Sequence, residues 1–279
     1  MSKRIRTSSI EKKLKEGLGQ GTGIDYKPWI KIQDVPSLGR STRLKGIKIP
    51  RQHEFLSDLE RNYFYLLEYS DLVVDIREQY PLLPIEETIV ISDELGIKHP
   101  ANPKTGKLAE MTTDFLVTIN INGEIQHLAR TLKYKNELMD KRVMEKFEIE
   151  RVYWKKHDID WGIVTELEVP KTMAHNIAFV REYFNIFSTE GFEEYTLQDI
   201  EEMNIYLIRC LLAGQKTVKQ IAKDVERDFG LLVGCGISLF KHLVISKAIE
   251  INMKNKIDVN RNITIDAVRK DFYEKVRVI

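Results

Sequence analysis

Two carboxylates and an ammonium, Glu60, Asp114 and Lys133, are spaced in this 279-residue chain as a metal-dependent phosphodiester cutter would need them. Hard carboxylate oxygens hold a divalent ion, the ion acidifies water and polarises a phosphate, and an ammonium steadies the charge that develops there. Their convergence follows from local pattern. Thr113 to Ile119 alternates polar and apolar residues as a half-buried strand does, and Ile125 to Tyr134 continues with Leu128, Ala129 and Leu132 in a second strand. Asn122-Gly123 lies between them, a dipeptide that tolerates positive φ at both positions and favours a two-residue hairpin turn. Pairing 121 with 124 makes opposed residue numbers sum to 245, which sets Asp114 across from Thr131 with Lys133 as its diagonal neighbour, roughly 7–8 Å away.

Glu60 must come from a helix. In Leu56 to Leu67 it falls on the stripe Leu56, Glu60, Tyr63/Phe64 and Leu67, which spacing turns toward the core. An ionised acid in that position needs a cation or a partner, so either a metal or an ion pair with Arg61 or Lys133 accounts for it. Asp114, opening a strand, has a plainer reading as a turn residue.

Composition sets the bounds. At 43% hydrophobic and 30% charged the chain is globular, neither disordered nor fibrous, and its length suggests two domains. No apolar run reaches the ~18 residues that span a bilayer and no hydrophobic signal segment follows the basic start, so no membrane partner and a cytoplasmic location are expected. Cys210 and Cys235 form no CxxC pair and are expected to be reduced, and the six histidines show no zinc-ligand spacing. Charge is uneven. Residues 1 to 51 hold 13 Lys/Arg against 4 Asp/Glu, a net of +9 in a chain whose total is +1. Lys3, Arg4, Arg6, Lys12, Lys13, Lys15, Arg40, Arg43 and Lys45 could form an arm against nucleic-acid phosphates, or simply a solvated face.

Gly17 to Gly23 alternates glycines, but no strand precedes it and no Gly-Lys-Ser/Thr follows, so a surface turn is the better reading than a nucleotide loop. Leu72 to Tyr80 is a strand stopped by Pro81, and the insertion to about 111 reads as loop with one short strand, Ile89 to Ile91. Residues 138 to 157 are helical, with Met139, Val143, Phe147 and Trp154 on one stripe; Glu150 interrupts it, as an auxiliary site carboxylate or as a surface ion pair with Lys146 or Arg151. Trp161 to Thr165 gives a last strand. The order helix, strand, strand, strand, helix, strand predicts an α/β fold with a mixed sheet flanked by helices. Beyond Pro170 helices dominate: Met173 to Phe187, Leu197 to Leu212, Thr217 to Phe229 and Ile237 to Ile251. With a threonine cap at Thr217 and a possible β-wing from Ile257 to Ile265, this region is winged-helix-like, a module that binds DNA or protein.

With those residues in place, the sequence resembles the TnsA family, the endonuclease subunits of heteromeric cut-and-paste DNA transposases. The resemblance is carried by Glu16-Gly17 to Gly21, Asp25 to Trp29, Asp34 to Ser37, Gly39-Arg40-Ser41, Leu56 to Glu60, Asp75 to Pro84, Gly96 to Pro100, Thr113 to Val117 and Glu150 to Trp154, and is faint over the last third. It implies a restriction-endonuclease-like catalytic domain over residues 1–168 with the basic arm, and a helical partner-binding domain over 169–279. It also implies catalytic Glu60, Asp114 and Lys133, and one or two Mg²⁺ ions, with Mn²⁺ able to substitute, held by Glu60, Asp114 and the Leu132 carbonyl. The implied activity is cutting of the 5′ ends of the transposon, with the DNA ends, a TnsB-type integrase and a TnsC-type ATPase regulator as partners. One departure stands out: Thr131 occupies the position two before the lysine where such nucleases usually carry an acid or glutamine, which shifts more of the metal's ligation to Asp114, the Leu132 carbonyl and water. A stand-alone restriction or junction-resolving nuclease and a non-catalytic DNA-binding adaptor are the competing readings.

Overall fold

The hairpin turn organises the front half of the molecule: Asn122 and Gly123 both take positive φ, 53° and 94°, and the strands they join pair from Ile121↔Glu124 to Phe115↔Arg130, every pair summing to 245. The computed structural model describes residues 9–34, 40–102 and 105–277; Lys3, Arg4, Arg6, Val35, Pro36, Ser37 and Gly39 lie outside them. The chain divides into two compact units, Met1–Val169 and Pro170–Ile279.

In the first unit α1 (Ser9–Lys15) precedes a small antiparallel ladder of β1 (Thr42–Lys45) and β2 (Gln52–Phe55). Next come α2 (Asp58–Tyr69), β3 (Val73–Pro81), α3 (Ile85–Glu94), β4 (Thr112–Ile121), β5 (Glu124–Leu132), α4 (Lys141–Lys156) and β6 (Asp160–Val164). The main sheet runs β3-β4-β5-β6, antiparallel until β6 joins β5 in parallel through the α4 crossover. This is the expected mixed sheet. Because neighbouring strand residues point to opposite faces, Phe115 stacks toward Phe55 and Tyr63 on the α2 side, while Leu116 and Ala129 join Ile149, Tyr153 and Trp154 of α4 on the other.

Local chemistry sets several boundaries. The Ser57 hydroxyl caps α2 by accepting from the Glu60 N–H, and Asp140 caps α4 by accepting from Arg142 and Val143. Met139 therefore precedes that helix and is exposed rather than on its buried stripe. Ile89 to Ile91 is helical, inside α3, because Thr88, Ile91 and Ser92 recur on the buried face with a helical period that outweighs the β-branched run.

The second unit holds α5 (Lys171–Val180), α6 (Leu197–Ala213), α7 (Val218–Phe229), α8 (Cys235–Ile245), the two-residue strands β7 (Ile249–Glu250) and β8 (Ala267–Val268), and α9 (Lys270–Arg277). Thr217 caps α7 in a reciprocal box with Gln220. A Cβ on Gly236 would stand 2.3 Å from the Ala222 carbonyl oxygen, so only glycine lets α7 and α8 approach this closely. The expected helix over 237–251 stops at Ile245, and Lys247, at φ 55°, turns the chain into β7. The expected wing from Ile257 to Ile265 contains no strand; β7 and β8 flank that loop instead. No helix among the described residues is long and apolar enough to cross a membrane.

Candidate active site

Regular pairing lapses at Asp114 on both sides. On β3 the ladder pairs Glu78↔Phe115 and Tyr80↔Thr113 but skips the slot where Gln79 would meet Asp114, and toward β5 it ends at Phe115↔Arg130. The backbone freed there is used by side chains: Asp114 Oδ2 accepts from the Leu132 N–H at 2.6 Å, which ties the acid to the residue beside Lys133. The Gln79 amide spans the two acids, its Nε2 lying 3.3 Å from Asp114 Oδ1 and 3.4 Å from Glu60 Oε2. Glu60 also accepts from the Leu56 N–H at 3.0 Å and the Ser57 hydroxyl at 2.7 Å.

Glu60 is thus buried, 7% exposed, on the inward stripe of α2 as its spacing required. Neither ion-pair alternative holds, since Arg61 pairs with Asp58 at 2.7 Å and Lys133 with Glu137 at 2.8 Å. Burial raises the Glu60 carboxyl to about 7, with the charge of Asp114 adding to the rise. Asp114 is raised to about 6 by burial, held back by the Leu132 N–H, the Gln79 amide and the charge of Lys133. Lys133 itself, one residue past the end of β5, is 32% exposed, and its N–H donates to the Val164 carbonyl oxygen at 3.1 Å. A cavity of about 300 Å³ is lined by Asp114, Thr131, Leu132, Lys133 and Glu150 among others.

Glu150 is no surface ion-pair partner. It is 2% exposed and accepts from Thr113 Oγ1 at 2.6 Å, from Trp161 Nε1 at 3.1 Å and from the Thr131 hydroxyl. Burial raises it to about 7, only partly offset by the Thr113 and Thr131 hydroxyls. Its partners flank Asp114 and Leu132 in sequence, so Glu150 braces both strand ends from the α4 side. The Thr131 hydroxyl donates to Glu150 and accepts from Trp161 Nε1 at 3.1 Å.

The donor set suits a small hard cation. Glu60, buried, and Asp114, half-buried, are carboxylates with raised pKa values and short of positive charge, and Mg²⁺ is commonly held by one or two carboxylates, the remaining positions going to water and substrate phosphate. No group of three or more His, Cys, Asp or Glu side chains among the described residues is arranged to hold a metal, which a protein-caged ion would need and a substrate-completed Mg²⁺ site does not.

Sequence reasoning missed Gln79 as a site residue, although the signal was present. A strand that buries Asp75, Arg77, Glu78 and Gln79 in succession spends most of its core positions on polar groups, which a purely structural strand rarely does. Glu78 belongs to a hub beneath the site: burial would raise it, but bonds from Arg51 at 2.6 and 2.7 Å and from His53 at 3.0 Å bring it down to about 2. The glycine segment is a docked turn, not a nucleotide loop. Gly17, Gly19, Gly21 and Gly23 all have positive φ, a Cβ on Gly19 would stand 2.4 Å from Pro81 Cγ, and the Tyr26 hydroxyl that follows donates to the Glu78 carbonyl oxygen at 3.0 Å. Of the basic residues, Lys13 pairs with Glu110 at 3.6 Å and Arg43 with Glu54 at 3.2 Å.

Comparison with known proteins agrees with this geometry. Residues 70–166 match the family model "TnsA-like endonuclease N terminal", and residues 168–253 match "TnsA endonuclease C terminal". The chain is 35% identical over 252 residues to the Transposon Tn7 transposition protein TnsA of Escherichia coli, covering 90% of this chain and 88% of that one. With both family models matched in order and that identity sustained across most of its length, the chain belongs to the TnsA family of transposase endonuclease subunits.

Proposed function

We propose that this chain cuts the 5′ strands at the ends of a transposon by Mg²⁺-dependent hydrolysis of DNA phosphodiesters. The observation that carries the reading is the meeting of Glu60 and Asp114 across the Gln79 amide, with Asp114 bonded to the residue that precedes Lys133. Glu60, Asp114 and the Leu132 carbonyl would hold one or two Mg²⁺ ions, with Mn²⁺ a workable substitute; when bound, such an ion polarises the scissile phosphate and acidifies the attacking water. Lys133 leaves Glu137 when DNA arrives and puts its ammonium on the phosphate, where charge grows in the transition state. Glu150 keeps the ends of β4 and β5 fixed under the two acids through Thr113 and Thr131.

A restriction-endonuclease-like core is supported by the sheet β3 to β6 with α2 and α4 on opposite faces. The second unit, with capped α7 close against α8 and a short β7-β8 ladder, is read as a winged-helix-like module. It recruits an ATPase regulator of the TnsC type, while a TnsB-type integrase cuts and joins the 3′ ends. The relative named for Tn7 transposition supports a role within a transposition machinery. The test is a cleavage reaction with both partners and strand-labelled transposon ends: 5′-strand nicks that form with Mg²⁺ and vanish with EDTA are expected, and metal-independent nicks would overturn the reading.

A further inference from the structure

Gln79 combines three unusual features. It is 3% exposed, it carries φ 48° without being glycine, and its side chain lies between two acids. Its carbonyl oxygen accepts from the Trp29 N–H at 3.2 Å, and Trp29 is fully buried in the segment after the glycine turn. That outside bond holds the left-handed peptide in place, while β3 pairs normally with β4 at Glu78 and Tyr80 on either side. Strained backbone persists where surrounding structure over-determines it, and it concentrates at functional sites.

The side chain turns its NH₂ toward Glu60 and Asp114, where an ionised carboxylate can only accept, and its Oε1 accepts from the Thr112 hydroxyl at 3.3 Å. The remaining contacts of the acids are shorter: 3.0 and 2.7 Å on Glu60, 2.6 Å on Asp114. The Gln79 bonds are therefore the longest that either acid makes: Asp114 Oδ1 is given to Gln79, while Glu60 Oε2 shares it with the Leu56 N–H, and both oxygens converge on the Gln79 Nε2.

We propose that Gln79 is a positioning residue that stands in for the cation: its amide bridges Glu60 and Asp114 and yields those oxygens when a divalent ion binds. The inference rests on the metal-dependent reading above. A placeholder stabilises the metal-free state alone, so removing it raises the ion's apparent affinity, whereas a ligand would lower it and a purely structural residue would leave it unchanged.

The experiment is a Mn²⁺ titration of the full-length chain by calorimetry, paired with melting temperatures without and with the ion. Gln79→Asn suits the test because asparagine tolerates the left-handed backbone better than most residues, while its amide is one methylene too short to bridge both acids. Gln79→Met, which removes the amide at similar length, is the second variant. Both should melt lower than wild type without metal, and both should bind Mn²⁺ about 3- to 10-fold more tightly, the scale of losing one weak competing hydrogen bond. Unchanged or weaker Mn²⁺ binding by folded Gln79→Asn protein overturns the placeholder. If wild-type protein binds no Mn²⁺, or binds it equally well as Asp114→Ala, the metal-dependent reading itself has failed, which is a separate result.

Discussion

In the first unit Arg51, Glu54, Glu60, Glu68, Asp75, Arg77, Glu78 and Glu150 are all buried, whereas among the described residues of the second unit the buried charged side chain is Arg181. The interior of the second unit is made instead of Ile200, Met203, Leu207, Ile221, Val225, Leu239 and Phe240, a core of ordinary helix packing. Desolvating charge is costly, so the first unit's interior makes sense only where the charges are paired or where they serve chemistry. Both cases occur close together, on the adjacent strands β3 and β4 and on the helices α2 and α4. Glu78 is held ionised by Arg51 and His53, while Glu60, Asp114 and Glu150 are pushed toward protonation and form no salt bridge among the described residues. The contrast teaches that the unpaired acids, more than burial as such, set the candidate site apart from the rest of the first unit.

The largest effect that could break this comparison comes from the acids themselves. Asp114→Ala and Glu60→Ala should each lower single-turnover nicking by roughly 1,000-fold or more, since Lewis-acid activation is lost, while circular dichroism stays that of the wild type. Nicking by folded Asp114→Ala protein at the wild-type rate would place the chemistry elsewhere. Lys133→Ala should cost roughly 100-fold in the same assay, the scale of losing one transition-state donor, with DNA affinity nearly unchanged. Equal losses in rate and affinity would make it a phosphate anchor.

A smaller effect follows from the raised carboxyls. An acid whose folded pKa lies above its unfolded value binds more protons in the native state, so stability present at low pH is lost as pH rises from the ordinary carboxylate range through the folded value. With Glu60 at about 7, Asp114 at about 6 and Glu150 at about 7, the metal-free protein should melt lower at pH 8 than at pH 5. Mg²⁺ should recover part of that difference at pH 8 and little at pH 5. Calorimetric melts that rise steadily with pH would show that these acids are already compensated.

The effect on the chemistry should be smallest in the second unit. Residues 170–279 alone should retain the ATPase regulator in a pull-down, and a fragment ending at Val169 should not. Strong, salt-sensitive DNA binding by residues 170–279 without regulator binding would reverse the assigned roles.

Much of the architecture was legible because it rests on short-range rules. The Asn122-Gly123 turn set the register that brought Asp114 to the end of β5, and the stripe from Leu56 to Leu67 turned Glu60 inward. Threonine before Val218 marked the start of α7. The misses share a cause. Ile89 to Ile91 looked like a strand from side-chain type alone, and Glu150 looked like a helix-surface acid because Lys146 and Arg151 are near it in sequence, whereas its partners Thr113, Thr131 and Trp161 come from three different strands or their ends.

By itself the sequence singled out Glu60, Asp114 and Lys133 as candidates and determined the hairpin and most of the order of elements, since each depends on periods and turns a few residues long. Tertiary structure alone decided that Lys133 rests on Glu137, that Glu150 is fully enclosed, and that Gln79 lies between the two acids. Gln79 owes that place to a left-handed peptide held by the N–H of Trp29, fifty residues earlier in the chain. No local pattern encodes such a bond, because it exists only once the glycine turn has docked against the edge of β3.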